Sequence, residues 1–409
     1  MMGAVPLHQP GCLAAVLALA LLGCGDPSAT STGAGGSGAS GEGGASVATT
    51  TGGGGMAAAG GSGGTAGVGG EAGIGGTPEG TPLADLAATM ASGDWTQMTP
   101  TPQGLELFVG GPTSGLKTGY ATKMARDADG RRLFWIGCDH NQEQSFLLYD
   151  EASNAWTLQP TTPFAAATKH GYEHTTWDSS NGALWHRPYG TMGAYRWDGG
   201  SNWSFVSYDG DLQYASAANG FEFFPDLGPN GSLMVFQVEN GTDGALIGID
   251  PMTEGIVTYA SGSALAGTGD PHNFAQYNPV SRVVWFGGGN SSPASWRIDE
   301  TGAVAALTDA PSSLGTLGPG NGNSLVVSNP KGGGFMVFHS STVSYDFDPT
   351  GAGTWTPRSE VAQAWVDNIY DSSQVVWGTV AAAIHEYDVV VFIKAHSQAA
   401  PAEMWIYKP

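Results

Sequence analysis

Short apolar runs recur at a nearly constant spacing along most of the chain. Each run has three or four large aliphatic or aromatic residues and is bounded by polar residues, glycine or proline. Successive runs are 50, 50, 50, 52 and 54 residues apart when they are aligned on Trp135, Trp185, Val235, Trp285, Val337 and Val391. Because the runs are too short for helices and rich in β-branched and aromatic residues, the pattern predicts buried β-strands in six repeated units.

Each unit carries signals for more than one strand. A turn-like segment precedes the apolar run, as in residues 127–130 and 278–281. After the run comes a second stretch that ends in a large residue and Asp, as in Tyr149-Asp150 and Ile298-Asp299. Another apolar residue, such as Trp156 in the first unit, follows five to seven positions later. This spacing predicts four short antiparallel strands per unit, which is the composition of a propeller blade.

The last unit ends one strand early, at Trp405-Ile406-Tyr407. Residues 93–97 resemble residues 153–157, the fourth strand of the first unit, because both place a Trp-Thr pair after a turn. We therefore expect the strand near Trp95 to complete the last blade, which would close the ring and remove an open sheet edge. The predicted fold is all-β, a six-bladed β-propeller of four-stranded blades.

Two features resemble kelch and galactose-oxidase-type propellers. One is an aromatic residue that is followed several positions later by Trp, and the other is Phe286-Gly287-Gly288-Gly289 directly after a second strand. The resemblance covers roughly residues 93–409 and implies the architecture. It implies no activity, because propellers carry many unrelated functions.

The glycine content divides the chain. Of 65 Gly, 23 lie within residues 25–80 among Ala, Ser and Thr, whereas all 13 Trp follow that stretch. A segment this poor in large apolar side chains cannot offset the entropy cost of ordering. We expect residues 24–82 to be a disordered tether and residues 83–409 to form the propeller.

The tether is preceded by an apolar stretch, Leu13 to Leu22, that is too short to span a bilayer. It ends in Leu21-Leu22-Gly23-Cys24, which resembles the bacterial lipobox. The resemblance implies that residues 1–23 are a signal peptide and that Cys24 carries lipid; an ordinary cleaved signal peptide is the alternative. The expected location is the outer membrane or cell surface, with the lipid as the only membrane attachment.

The charge of the folded part narrows the choice of partner. Residues 83–409 hold 32 acidic and 14 basic residues, a net charge of −18. Such acidity excludes a nucleic-acid-binding protein, which needs a basic surface. We expect a monomer whose partner is an extracellular carbohydrate or a surface protein.

Most histidines map to one face of the predicted propeller. This face carries the long loops, which follow each second strand and precede each first strand, and such loops commonly carry binding residues. The predicted catalytic residues there are Tyr172, His174, Arg187 and His140. The predicted substrate-binding residues are Lys123, Lys169, His170, His186, His272, Asn323 and His339.

Three chemistries suit this set. The grouping of His, Tyr and Arg is similar to that of propeller-fold polysaccharide lyases, which implies β-elimination. Arg187 would neutralise a uronate carboxylate, a His would take the proton and Tyr172 would protonate the leaving oxygen. Zn or Cu held by imidazoles near Cys138-Asp139-His140 is a second hypothesis. A non-catalytic scaffold that binds glycan or protein is the third, through the aromatic residues Tyr120, Tyr172, Tyr189 and Trp377.

The net charge of −18 weighs against the first of these chemistries, because an acidic body repels a polyanionic substrate. Binding and cleavage of a carbohydrate both remain open at this point.

Overall fold

The computed structural model describes most of the predicted propeller. The described ranges are 80–109, 117–137, 144–165, 171–208, 219–239, 243–269, 271–290, 292–319, 324–339, 344–358, 378–395 and 400–409. The predictions for the signal peptide and for the tether up to residue 79 concern residues outside these ranges. The same holds for Cys24, Cys138, His140, Lys169, His170, Asn323 and Trp377.

The described strands form six four-stranded antiparallel sheets, as the repeat predicts. Strands are given from the innermost to the outermost. Blade 1 contains β2 (Ala125–Asp127), β3 (Arg132–Gly137), β4 (Ser145–Asp150) and β5 (Ala155–Leu158). Blade 2 contains β6 (Thr175–Asp178), β7 (Ala183–His186), β8 (Gly193–Trp197) and β9 (Trp203–Ser207). Blade 3 contains β10 (Gly220–Phe224), β11 (Ser232–Glu239), β12 (Asp243–Ile249) and β13 (Ile256–Ala266).

The remaining blades follow the same order. Blade 4 contains β14 (Asn273–Asn278), β15 (Val283–Gly288), β16 (Ser295–Asp299) and β17 (Val304–Ala306). Blade 5 contains β18 (Ser324–Ser328), β19 (Phe335–His339), β20 (Ser344–Asp348) and β21 (Thr354–Pro357). Blade 6 contains β22 (Thr379–Ile384), β23 (Val389–Lys394), β24 (Glu403–Tyr407) and, as its outermost strand, β1 (Trp95–Gln97).

The ring closes as predicted from the sequence. Strand β1 pairs antiparallel with β24, so that Trp95 lies opposite Tyr407. The Trp95 ring stacks on the ring of Tyr407, with centroids 4.4 Å apart, and on that of Phe392 at 5.3 Å. The first described strand and the last one therefore share one sheet.

The turns repeat one hydrogen-bonding device. An Asp or Asn at the end of a strand accepts backbone N–H bonds of 2.8 to 3.2 Å from residues two to four positions later. This satisfies the turn without a longer loop. The residues are Asp127, Asp150, Asp178, Asp250, Asn278, Asp299, Asn329 and Asp348.

The core lies between adjacent blades. Trp135, Trp185 and Trp285 are completely buried. The Trp285 ring of blade 4 lies 5.1 Å from Phe335 and 4.3 Å from Phe347, both in blade 5. Because a central strand is covered on both faces by neighbouring blades, its apolar residues are consecutive, and this is the pattern that the sequence shows.

A short helix, α1 (Pro82–Thr89), precedes β1. Thr81 caps it by accepting a hydrogen bond from the Ala84 N–H at 3.2 Å. Leu83 and Ala87 are buried in the core shared by blades 1 and 6. The other helical segments within the described residues are single 3-10 turns at Leu105–Phe108, Lys117–Tyr120 and His385–Tyr387. Within the described ranges, no helix has the length and apolar character needed to cross a membrane.

Candidate functional site

The innermost strands of the six blades surround a central channel. The chain enters each of these strands from the long connections between blades, and we call that end the loop side. It leaves at the short turn to the second strand, and we call that end the turn side. The two ends differ in what they offer to a ligand.

The turn side opens into a cavity of about 290 Å³ that receives residues from all six blades. We call it the turn-side funnel and define it by one residue from each blade: Arg126, Trp177, Pro225, Tyr277, Ser328 and Ala382.

Two half-buried aromatic side chains, Trp177 and Tyr277, lie in its wall. Trp177 stacks on Phe134 of blade 1 with centroids 5.3 Å apart, and Tyr277 packs on Phe224 of blade 3 at 5.4 Å. The Tyr277 hydroxyl donates a 2.5 Å hydrogen bond to Asp226. Both rings are thus held in place before any ligand binds.

Arg126 brings a positive charge to the funnel wall, but carboxylates already neutralise it. Its guanidinium contacts Glu151 at 2.5 Å and Glu386 at 2.6 Å. Glu151 is fully buried and also accepts hydrogen bonds from Thr81 at 2.9 Å and from the Tyr387 hydroxyl at 2.8 Å. Burial, followed by the charge of Glu151, raises the pKa of Tyr387 to about 12, so this hydroxyl stays protonated and donates.

Lys123 closes the inner end of the funnel. Its ammonium donates to Glu222 at 2.7 Å, to the Phe221 carbonyl at 2.9 Å and to the Ala275 carbonyl at 3.2 Å. Blades 1 and 4 lie opposite each other in a ring of six, so Lys123 reaches across the channel axis. All three of its N–H donors are used, and its side chain is only 6% exposed.

Glu173 and Gln276 make a second contact across the channel, from blade 2 to blade 4. The Gln276 amide donates a 2.7 Å hydrogen bond to one oxygen of Glu173, and the Thr122 hydroxyl donates to the other at 3.1 Å. Burial raises the pKa of Glu173 to about 7; Glu222 adds to the rise, while Lys123, Gln276 and Thr122 oppose it. Part of the Glu173 population therefore carries a proton near neutral pH.

At the loop side the structure brings together Tyr172, His272 and Tyr120, which the sequence analysis had assigned to a binding face. The Tyr172 ring lies 5.0 Å from the His272 ring and 5.8 Å from that of Tyr120. His272 Nδ1 is 2.7 Å from Asn290 Oδ1, so Nδ1 carries the proton and donates. His272 has a φ of +76°, in the left-handed region that residues other than Gly seldom adopt.

His174 and Arg187 also lie close together, but inside the protein. Both are 0% exposed. Arg187 donates to the Tyr208 hydroxyl at 2.6 Å and to Asn219 Oδ1 at 2.7 Å. His174 Nε2 accepts the Asn219 backbone N–H at 3.1 Å. These groups therefore form a buried polar network rather than a surface open to a polymer.

His186 belongs to the same interior region. Its ring lies 6.4 Å from the His174 ring and stacks on Phe164 at 4.8 Å. The ring nitrogens contact Thr175 Oγ1 at 2.9 Å and Gln144 Nε2 at 3.3 Å. Burial, followed by the Arg187 charge, lowers the pKa of His186 to about 3, so this histidine is neutral at physiological pH.

The predicted site residues thus divide into separate groups among the described residues. Tyr172 and His272 meet at the loop side, and Lys123 lies in the channel. His174, His186 and Arg187 are buried between blades. His339 Nε2 contacts the Leu314 carbonyl at 3.0 Å, on blade 5. The catalytic and binding roles of these residues stay predictions. No three His, Cys, Asp or Glu side chains of the described ranges converge as metal ligands would.

Sequence reasoning missed Glu173, Glu222 and Gln276 as channel residues, and Trp177 and Tyr277 as funnel residues. A usable signal was present in Phe221-Glu222-Phe223, where a charged residue interrupts an apolar innermost strand. Charged side chains are rarely buried unless they are paired, so such a position indicates a polar contact inside the channel.

Comparisons with known proteins address the fold. No protein-family model and no curated protein matches the chain. Similar solved structures include the GH74 enzyme of Niastella koreensis, at 11% identity and a TM-score of 0.44, with 70% of this chain and 47% of that chain covered. The chain therefore spans about half the length of that enzyme.

Two other similar structures are a nutrient binding protein and a lectin. An auxiliary nutrient binding protein of Bacteroides ovatus shows 12% identity and a TM-score of 0.48, with 76% of each chain covered. The SapL1 lectin in complex with alpha methyl fucoside shows 13% identity and a TM-score of 0.42, with 70% of this chain and 90% of that chain covered. At these identities the likeness concerns the propeller architecture and assigns no activity.

Proposed function

We propose that this propeller binds a small neutral carbohydrate in the turn-side funnel. The observation that carries the proposal is the cavity of about 290 Å³ in which Trp177 and Tyr277 are each fixed by a second ring. Small-molecule sites typically measure about 300 to 1,000 Å³, so this one suits one or two sugar residues rather than a long polymer.

The chemistry of the wall matches that of a sugar. A pyranose presents a C–H face that packs on an aromatic ring and hydroxyl groups that need hydrogen-bond partners at its edge. The funnel supplies the rings of Trp177 and Tyr277, together with the Gln276 amide and the partly exposed Glu386 carboxylate. Rigid aromatic side chains also reduce the entropy lost on binding.

The charges favour a neutral ligand over a uronate. Both cations of the funnel, Arg126 and Lys123, already contact carboxylates at 2.7 Å or less. An anionic sugar would have to break one of these ion pairs or lie close to Glu386 without compensation. The net charge of −18 on residues 83–409 acts in the same direction.

Calorimetric titration tests the proposal with neutral mono- and disaccharides and the matching uronic acids. We expect the neutral sugars to bind and Trp177→Ala to weaken them by about tenfold, because one stacking surface is lost. Phe205→Ala is the matched control: Phe205 is 48% exposed on the outermost strand of the same blade.

The proposal is wrong if no neutral sugar binds, or if Trp177→Ala and Phe205→Ala retain equal affinity. Tighter binding of the uronic acids than of the neutral sugars would contradict the charge argument.

A second candidate function is β-elimination at the loop side, as the residue types suggested. The 5.0 Å contact between the rings of Tyr172 and His272 favours it. Since Nδ1 of His272 donates to Asn290, Nε2 is the basic nitrogen that would take a proton, and Tyr172 would protonate the leaving oxygen. Arg187, which was expected to neutralise the carboxylate, is instead bonded to Tyr208 and Asn219 in the interior.

Absorbance of unsaturated uronate products measures this activity on uronic-acid polymers. If the lyase hypothesis holds, Tyr172→Phe should lower turnover by about 100-fold, because general acid catalysis contributes at least that much. Phe205→Ala serves again as the control. Absence of turnover on every such polymer would eliminate this candidate.

We also propose, from residues 21–24, that the chain is exported and attached to a membrane through lipid on Cys24. A kelch-type assignment of the blades is likewise a proposal, supported by Phe286-Gly287-Gly288-Gly289.

A further inference from the structure

Among the described residues, the layer that closes the funnel holds one positive and two potentially negative side chains. Lys123 supplies one ammonium group, while Glu222 and Glu173 supply two carboxyl groups. The exposed fractions of these residues are 6%, 8% and 1%, so water compensates little of the imbalance. Binding one proton would remove the surplus negative charge.

The ion pair leaves Glu173 as the carboxyl group that can take this proton. Lys123 spends its three donors on Glu222 and on the carbonyls of Phe221 and Ala275. Glu222 also accepts the Thr176 hydroxyl at 2.5 Å and the Phe223 N–H at 3.0 Å, so both of its carboxylate oxygens are occupied. Among the described residues, Glu173 receives two neutral donors, from Thr122 and Gln276.

Gln276 connects Glu173 to the funnel. Its side chain lines the cavity while Nε2 donates to Glu173 at 2.7 Å. An ionised Glu173 only accepts hydrogen bonds, so it holds the NH₂ end of the amide and leaves the carbonyl oxygen for the funnel. A protonated Glu173 donates, so it can hold the carbonyl oxygen and leave the NH₂ group for the funnel.

We propose that Glu173 is a specificity-determining residue that acts through Gln276. By gaining or losing one proton from solvent, it turns the Gln276 amide and thereby decides whether the funnel floor donates or accepts hydrogen bonds. Below the transition the floor favours ligand groups that accept hydrogen bonds, such as an acetamido carbonyl. Above it the floor favours ligand groups that donate. The identity of the ligand rests on the proposed function, whereas the turning of the amide does not.

The charged groups that face Glu173 come from two neighbouring blades. Lys123 of blade 1 favours the ionised form and Glu222 of blade 3 opposes it. Blades 1 and 4 add the neutral partners Thr122 and Gln276. Because burial is the largest influence and places the pKa of Glu173 at about 7, the transition is expected near neutral pH.

Side-chain amide signals in ¹H–¹⁵N NMR spectra test the proposal without a ligand. The Gln276 signals, identified by their loss in Gln276→Met, should shift between pH 5.5 and 8.5 with a midpoint near 7. Gln144 is the internal control: it is also buried and bonded through its amide, but its neighbour His186 has a pKa of about 3 and does not titrate in this range.

Glu173→Gln supplies the matching variant, because its side chain stays neutral and can still donate to Gln276. The variant should hold the Gln276 signals constant across this pH range. Wild-type affinity for N-acetylglucosamine should rise roughly three- to tenfold from pH 8.5 to 5.5, the worth of one hydrogen bond, and should be independent of pH in Glu173→Gln.

Gln276 signals that stay constant in the wild-type protein would overturn the proposal, as would signals that move together with those of Gln144. If Glu173→Gln does not fold, the pH dependence of the Gln276 signals in the wild-type protein, compared with that of the Gln144 signals, still tests the proposal. Titrating Gln276 signals without binding of any sugar would support the amide switch and reject the proposed function, so the two failures are distinguishable.

Discussion

The two ends of the channel hold their side chains by different means. At the turn side and in the channel floor beneath it, ion pairs and hydrogen bonds cross from blade to blade, and the strands around them end in short turns capped by Asp or Asn. At the loop side, His272 has a left-handed backbone and lies beside the ring of Tyr172, which in turn contacts the ring of Tyr120. One end therefore depends on charge, the other on backbone conformation.

This difference explains why the best-defined cavity, the turn-side funnel, does not lie on the loop side, where the sequence analysis placed the binding residues. Residues on inner strands, such as Glu222 and Gln276, inherit their positions from the register of the sheets. Residues at the entry to those strands depend on the connecting segments. The proposed binding site accordingly uses strand residues, whereas the second candidate uses His272, which directly precedes β14.

The largest expected effect comes from removing a charge at the turn side. Glu222→Gln should lower the free energy of unfolding by about 3 to 5 kcal/mol, because it leaves the Lys123 ammonium buried without its carboxylate. Asp198→Asn is the matched control, since Asp198 pairs with Arg196 but is 58% exposed, and it should cost less than about 1 kcal/mol. Urea unfolding measures both; equal losses would show that charge does not hold this end together.

The pH dependence of stability tests whether the buried proton of the channel belongs to Glu173. The raised pKa of Glu173 means that the folded state binds its proton more tightly than the unfolded chain, whose value is 4.5. This stabilisation is complete below 4.5 and is lost as the pH rises through about 7. Glu173→Gln should abolish that loss, which is about 3 kcal/mol.

Urea unfolding of the wild-type protein and Glu173→Gln between pH 5 and 8.5 measures this dependence. Parallel pH profiles for the two proteins would contradict the assignment of the buried proton to Glu173.

A substitution at Gly318 tests whether the backbone of His272 is held in place at the loop side. Gly318 has a φ of +97°, and a Cβ there would lie 2.6 Å from the His272 carbonyl oxygen. Gly318→Ala should therefore cost about 2 kcal/mol, through the strained backbone and the contact together. Gly228→Ala, at a φ of +81° with open space around it, should cost about 1 kcal/mol. Equal unfolding free energies would mean that His272 adapts freely and that its backbone is not held in place.

The blades were predictable because their signals are local. Consecutive apolar residues around Trp285, the Asp at the end of the third strand and the Trp-Thr pair near Trp95 each report on a few neighbouring residues. The site was predictable only in part. Tyr172 and His272, which were both assigned to the loop side, lie 5.0 Å apart. Nothing near Arg187 in the sequence shows that Tyr208 and Asn219 would enclose it, because those contacts span 21 and 32 positions.

The sequence by itself determined the number of blades, the strands within each and the way in which the ring closes. These features follow from the hydrophobic period and from turn chemistry, which act over short distances along the chain. Only the tertiary structure decided which polar residues face one another across the channel. Lys123 and Glu222 are 99 positions apart, and Glu173 and Gln276 are 103 apart. Their contacts depend on the closure of the whole ring, which sets the distances between blades that are not neighbours.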